Sequence, residues 1–481
     1  MRDEDVTNVN FKCHHELLLF VNTTTTFIVP LLLSFFDFNL AMGFLVALGL
    51  LAPVNIFHYR FAWIDSEFYV RRIYILCIAP ALILLGITIC GWMNPIVQTI
   101  ANGDLSYVRM IESSELLVNV GAHAAYPISS QLIFLSIVAV SCSIYFLTDS
   151  LYVMRRIILF CAFATVGFGF ILFAYYMLRH FSIAFTETKS ESVFTFKDRS
   201  TWASLATLWI AGLLLAFSHY RQNFSMSRFI LSMRFLLLCA VGILYISVLI
   251  TQLPAYIIIS SICLTFSFFL LAINVIPTLE NQYAHWDNSS LSKMPKRNKF
   301  WASIPAVCYF ATSALALIVA VYVFSNSFYN PNELTLVDSN NPQSITISQK
   351  EIILKDVIPM IKERPLFGWG TGSFKTIYSF VQSIEIGATP IAYPNSDLLK
   401  VLVEEGLVGL LLIIVTPAFF FINWLFKLRQ SFFIYNFPLL LTCILILILS
   451  IFSNPFQSPL STLSFWILLI ITLKWGSAST R

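Results

Sequence analysis

Five polar side chains, Asn395, Asp397, Lys400, Glu404 and Glu405, stand in YPNSDLLKVLVEEGLVGLLLIIV (393–415), just before the chain becomes apolar enough for a membrane. A helix is expected to begin near Pro394–Ser396, with Asn or Ser as its cap. Helical spacing puts Asp397, Lys400 or Val401, and Glu404 on one face. Lys400 and Glu404 are spaced for an i,i+4 ion pair. Two readings follow: the solvated start of a helix, with Asp397 where the macrodipole favours a carboxylate, or the rim of an active site. Upstream, KEIILKDVIPMIKERPLFGWGTGSF (350–374) repeats Ile353, Val357, Met360 and Ile361 at helical intervals. That pattern predicts an amphipathic helix along a membrane surface, bent or interrupted by Pro359. Gly368, Gly370 and Gly372 then alternate, predicting a tight turn that either ends the helix or offers exposed backbone N–H groups to an anion.

The elements that must hold these residues are membrane spans. The chain has 481 residues, 58% hydrophobic and 11% charged, more apolar surface than a soluble protein of that length can cover. Twelve stretches are long and apolar enough to span, near 17–36, 38–57, 73–92, 131–148, 157–178, 201–219, 229–251, 255–276, 302–326, 406–426, 432–450 and 460–476. The fold class is therefore all-α, a polytopic membrane protein with one long loop outside the membrane. Four regions are expected: an N-terminal bundle (1–190), central helices (191–326), the long loop with its amphipathic helix (327–405) and C-terminal spans (406–481).

Basic residues at 58–72, 153–156, Arg221, Arg228, 293–299 and 427–429 mark cytoplasmic loops, which puts both termini inside and 327–405 outside. The formal charge of +4 is read through this topology and implies no nucleic-acid partner. The acidic, polar N-terminus is unlike a cleavable signal peptide. Nine cysteines with no CxxC pair indicate small core residues rather than a metal site or a disulfide framework. No internal repeat relates the two halves, which counts against a transporter or flippase.

In order and spacing, RPLFGWGTGSF followed by NSDLLKVLVEEGLVG (395–409) resembles the C-terminal pattern of the O-antigen ligase and O-antigen polymerase superfamily. SNPFQSPLSTLSFWILL (453–469) is similar to that family's last loop and helix, and FTFKDRSTWASL (194–205) to an earlier loop-to-helix element. The resemblance implies a bacterial cytoplasmic-membrane glycosyltransferase with a GT-C-like fold, acting in surface polysaccharide and lipopolysaccharide assembly. Its donor would be a glycan on undecaprenyl pyrophosphate, its acceptor a glycan, lipid or protein hydroxyl outside the membrane, with membrane lipids around it and no metal or nucleotide cofactor.

Cations must then meet the departing pyrophosphate, and a base or hydrogen-bond acceptor must orient the incoming hydroxyl. The resemblance places Asn395 and Lys350 at the catalytic positions, and Asp397 is by its position a candidate base. Arg364, Lys375, Arg199, Gly368, Gly370 and Gly372 would bind substrate, with Lys362, Arg179 and Lys197 as further outward cations. Three positions depart from the family: Asn395 stands for its His, Lys350 for an Arg, and Pro254 for a second Arg. His123 and His180 are the outward histidines that could stand in for the base. A catalytically silent relative that binds lipid-linked glycan or scaffolds an assembly is the alternative these departures raise.

Overall fold

The computed structural model describes residues 2–34, 38–58, 67–93, 97–102, 105–110, 127–147, 151–181, 199–218, 233–251, 253–286, 296–329, 347–383, 391, 394, 396–426 and 432–478. Their elements run α1 (Arg2–Leu33), α2 (Phe38–His58), α3 (Glu67–Met93), β1 (Val97–Asn102), β2 (Leu105–Met110), α4 (Pro127–Leu147) and α5 (Leu151–Phe181). They continue with α6 (Arg199–Ser218), α7 (Met233–Thr251), α8 (Pro254–Trp286), α9 (Lys296–Tyr329), α10 (Ile347–Glu363), α11 (Phe374–Val381), α12 (Asp397–Glu404), α13 (Gly406–Phe426), α14 (Phe432–Leu449) and α15 (Pro459–Ala478). Helices dominate, as composition requires. The departure is an antiparallel hairpin, β1 with β2, in register from Val97 opposite Met110 to Asn102 opposite Leu105.

Six helices, α4 to α9, contain apolar windows long enough to cross a membrane. Shorter apolar stretches fill α1, α2, α3, α13, α14 and α15, at the other six positions expected from sequence. The chain is thus a multi-pass membrane protein. Its axis is α6, where 94% of the apolar window is buried inside the protein, so this helix meets other helices rather than lipid. Trp209 on α6 packs edge-on to Phe27 at 5.2 Å and donates its indole N–H to Ser464 Oγ at 3.1 Å. Ser204 reaches Ser461 Oγ at 2.9 Å and the Pro455 carbonyl at 3.1 Å. Small hydroxyl residues at these crossings let helices approach closely while satisfying each other's polar groups.

A second, smaller core lies at one pole of the bundle. Ile353, Val357 and Met360 form the buried stripe of α10 and pack with Trp369, Phe374, Ile377, Tyr378, Ile391 and Val403. Leu354 and Ile358 remain exposed on another face, beside a solvated Lys355–Glu351 ion pair at 3.1 Å. Pro359 lies within α10, which continues past it to Glu363, so of the bend or interruption expected there the interruption does not occur. At the opposite pole Lys474 donates to the Tyr145 carbonyl at the end of α4, a favourable place for a cation.

The small core is tied to the bundle by RPLFGWG and VEEGLVG. α12 and α13 are separated by Glu405 alone, and Gly406, the first residue of α13, has φ +65°. A Cβ there would lie 2.4 Å from the Leu366 carbonyl oxygen. Gly406→Ala should therefore cost about 1–3 kcal/mol or more through strain and displaced backbone. Gly43→Ala in α2, where a Cβ meets nothing within 4 Å, should be neutral or stabilising by up to about 1 kcal/mol. Melting of the two variants in detergent measures the difference.

Candidate active site

The glycine turn and the α12–α13 junction cap one another. Trp369 N–H donates to the Val403 carbonyl at 2.8 Å and Gly370 N–H to the Glu404 carbonyl at 2.7 Å, closing the C-terminal end of α12. In return, Leu407 N–H donates to the Pro365 carbonyl at 2.9 Å and Val408 N–H to the Leu366 carbonyl at 3.0 Å, closing the N-terminal end of α13. Two helix ends that would otherwise leave backbone groups bare are satisfied by one loop. Gly368, Gly370 and Gly372 all have positive φ, at 66°, 96° and 74°, a backbone only glycine adopts without strain. A Cβ on Gly368 would come within 2.5 Å of the Val403 oxygen.

This corrects one expectation. The N–H groups of Gly368 and Gly370 go to the carbonyls of Arg364 and Glu404, so the turn spends them on the fold rather than presenting them to an anion. Gly370 is buried, while Gly372 and Lys375 are exposed. Arg364 lies 4.6 Å above the Trp369 ring, and burial lowers its pKa while Glu363 raises it. Trp369 is held in turn by an indole N–H donated to the Met360 carbonyl at 3.0 Å.

Ser396 is the N-cap of α12: its hydroxyl oxygen accepts the Leu399 N–H at 3.2 Å and its hydroxyl donates to the Ser450 carbonyl at 3.3 Å. Asp397 faces the loop between α14 and α15. Its Oδ2 accepts the Phe456 N–H at 2.8 Å, its own N–H donates to the Ser453 carbonyl, and the buried Tyr256 lies beside both. Burial pushes the carboxyl up to about 7, while the Phe456 N–H and Lys400 pull the other way. A carboxylate poised near neutrality can take a proton and give it back.

Asn395 lies outside the described residues, as do His123, Lys197 and the side chains of Lys350, Arg179, His180 and Arg199. Lys350 falls in the first turn of α10 and Arg199 at the start of α6. Pro254 opens α8. The structure thus brings Asp397, the glycines and Arg364 to one pole.

Three sets of contacts here were not expected from the sequence. Asp356 Oδ2 accepts from the Tyr378 hydroxyl and the Ser383 N–H, each at 3.0 Å, and Oδ1 from the Ser383 hydroxyl at 2.5 Å. Burial, then this carboxylate, raises the Tyr378 pKa. Glu404 Oε1 accepts the Phe374 N–H at 3.3 Å, starting α11. Glu405 Oε1 accepts from Gln131 Nε2 on α4 at 2.6 Å, and Gln131 Nε2 also donates to Thr371 Oγ1, itself 3.2 Å from Thr88 Oγ1 on α3. Nothing local in the sequence marked Thr88 or Gln131 as partners of these residues.

Comparison with known families decides what this geometry belongs to. Residues 290–414 match the family described as O-antigen ligase. The chain carries an O-antigen ligase domain there. The match takes in α9, α10, the glycine turn and α12, and stops within α13. It thus covers both halves of the reciprocal cap and leaves α14, the 450–458 loop and α15 outside. No curated protein matches the chain.

Glu405 supplies a pH test. Burial first, then Glu404, raises its pKa from 4.5 to about 7 against the opposing pull of Gln131 and Lys400. The folded state then holds a proton that the unfolded state has released, so this group's contribution falls as pH rises from about 4.5 to about 7 and is level above. Glu405→Gln should melt higher than wild type at about pH 8 and equally at about pH 4, as measured by thermal unfolding in detergent.

Proposed function

We propose that this O-antigen ligase domain protein transfers or polymerises a polyprenyl-pyrophosphate-linked glycan on the extracytoplasmic face of a bacterial cytoplasmic membrane. The observation that carries the reading is the interlock of the two motif segments within residues 290–414, beside a carboxyl, Asp397, held near a pKa of about 7. The acceptor is a hydroxyl of a glycan, lipid or protein. In this reading Asn395 orients that hydroxyl through its side-chain amide, and Asp397 or solvent receives the proton. Lys350 faces the departing pyrophosphate, where an ammonium supplies charge without the bidentate fork of an arginine. Arg364, Lys375 and Arg199 add positive charge for the phosphates. The silent-relative reading rests on Asn395 and Lys350 standing where the family's His and Arg are expected.

Sidedness follows from charge. Thr88 and Gln131 contact the motif pole from the end of α3 and the start of α4, and Arg155, Arg156 and Lys474 lie toward the other ends of their helices. Basic ends favour the cytoplasm, which turns the motif pole outward and gives twelve spans with both termini inside. A cysteine at the exposed Ser379 position, in a cysteine-free background, should react with a membrane-impermeant maleimide from outside; labelling only after lysis overturns the topology.

Deleting the protein should cause lipid-linked glycan to accumulate, and its absence from the accumulating pool would end the transfer reading. In the same strain, Asp397→Asn should lower transfer by about 10²–10⁴-fold. Lys350→Ala should abolish it and Lys350→Arg retain it. Wild-type accumulation levels with unchanged rates in Asp397→Asn, Lys350→Ala and Asn395→Ala, at matched abundance, favour the silent relative.

A further inference from the structure

One peptide unit in the loop between α14 and α15 is gripped from both sides. Its N–H, that of Phe456, donates to Asp397 Oδ2 at 2.8 Å. Its carbonyl, that of Pro455, accepts from the Ser204 hydroxyl of α6 at 3.1 Å. Ser204 Oγ also lies 2.9 Å from Ser461 Oγ on α15 and 3.0 Å from the Thr201 carbonyl. A serine has one proton to give, so its best acceptor must be chosen. The Thr201 carbonyl already takes the Ser461 hydroxyl at 3.2 Å and stands within the α6 ladder. The Pro455 carbonyl is buried and, among the described residues, no other donor reaches it. A buried carbonyl must find its donor inside the protein, which assigns the Ser204 proton to Pro455. Ser204 and Ser461 are themselves fully buried, so water does not compete for these bonds.

We infer that Ser204 is a positioning residue for Asp397, holding and polarising, through the Pro455–Phe456 peptide, the N–H that the carboxylate accepts. A donor on the carbonyl of a peptide strengthens the bond its N–H makes, more so where the surroundings are dry. A hydrogen bond to the charged form of a carboxyl favours that form. The Phe456 N–H and Lys400, in that order, support the ionised Asp397 against burial. Lys400 on α12 and Tyr256 on α8 are the titratable neighbours of this carboxyl. Ser204, Pro455, Phe456 and Ser461 all lie outside residues 290–414, so the support of Asp397 comes from beyond the matched domain. It comes from α6, the axis of the bundle, which registers the start of the short α12 to the most enclosed helix. Without the Ser204 hydroxyl the peptide is free to turn, its N–H bond weakens, and Asp397 ionises at higher pH.

This inference rests on Asp397 serving the proposed transfer, and the ionisation of Asp397 tests it apart from transfer. The probe is the infrared carboxyl band of full-length protein in nanodiscs, assigned to Asp397 by its loss in Asp397→Asn and followed from about pH 5 to about pH 9. Ser204→Ala should raise the midpoint by about half a pH unit or more, a change of about threefold or more in the ionisation constant. Ser204→Cys, close in size and a weaker donor, should raise it by less. Ser464→Ala is the control, since it removes the acceptor of Trp209 between the same two helices, α6 and α15. It should melt lower than wild type and leave the midpoint in place. With lipid-linked glycan from the deletion strain as substrate, the acid limb of the transfer profile should rise together with the infrared midpoint. Equal midpoints in wild type, Ser204→Ala and Ser204→Cys overturn the coupling, as does an equal rise in Ser464→Ala, whatever transfer does. A raised midpoint in Ser204→Ala, with no transfer by any protein including wild type, keeps the coupling and removes the transfer reading.

Discussion

Everything at the motif pole depends on one exchange of backbone hydrogen bonds. The 365–370 turn donates two N–H groups to the end of α12 and accepts two from the start of α13. A break between helices exposes carbonyls on one side and amides on the other, and those packed away from water must find partners within the protein. The turn does both jobs at once because its glycines reach left-handed backbone angles and carry no Cβ. With the break stabilised, α12 stands apart from the transmembrane α13. Asp397 reaches the 450–458 loop from one end of α12, and Glu405 reaches α3 and α4 from the other.

Two carboxyl groups eight positions apart, Asp397 and Glu405, are held close to neutrality by different means. Asp397 is paired to a backbone amide, and Glu405 to a side-chain amide with one oxygen left over. Burial is the leading cause in both. Lys400 lowers both but does not offset burial, as expected when a cation acts across partly wet space.

Much of this was legible in the sequence, and the reasons for the rest are specific. Spans announce themselves as apolar runs, and all twelve expected stretches coincide with helices. Ser396 was readable as a cap because capping is local. The stripe Ile353, Val357, Met360 was readable because periodicity is local too. Of the two effects expected of Pro359, interruption does not occur: the helix runs on past it to Glu363. The glycine turn was recognised while its purpose was not: spacing shows that N–H groups are freed, and only the partner strand of chain shows where they go. Thr88 and Gln131 were invisible for a similar reason. Gln131 meets Glu405 across 274 residues, and a lone glutamine at the mouth of a helix carries no pattern.

The order in which the chain is made matters for a pole assembled this way. The turn at 365–370 emerges well before its partner at 403–408, and Ser396 and Asp397 emerge before the 450–456 segment that receives them. A ribosome that has released α13 into the lipid has produced the whole domain match, ending at 414, yet the floor beneath Asp397 is still unmade. The small core at this pole therefore completes its fold only once α14 and α15 have been inserted, and a chain truncated after α13 keeps both motifs but lacks the surface on which one of them rests.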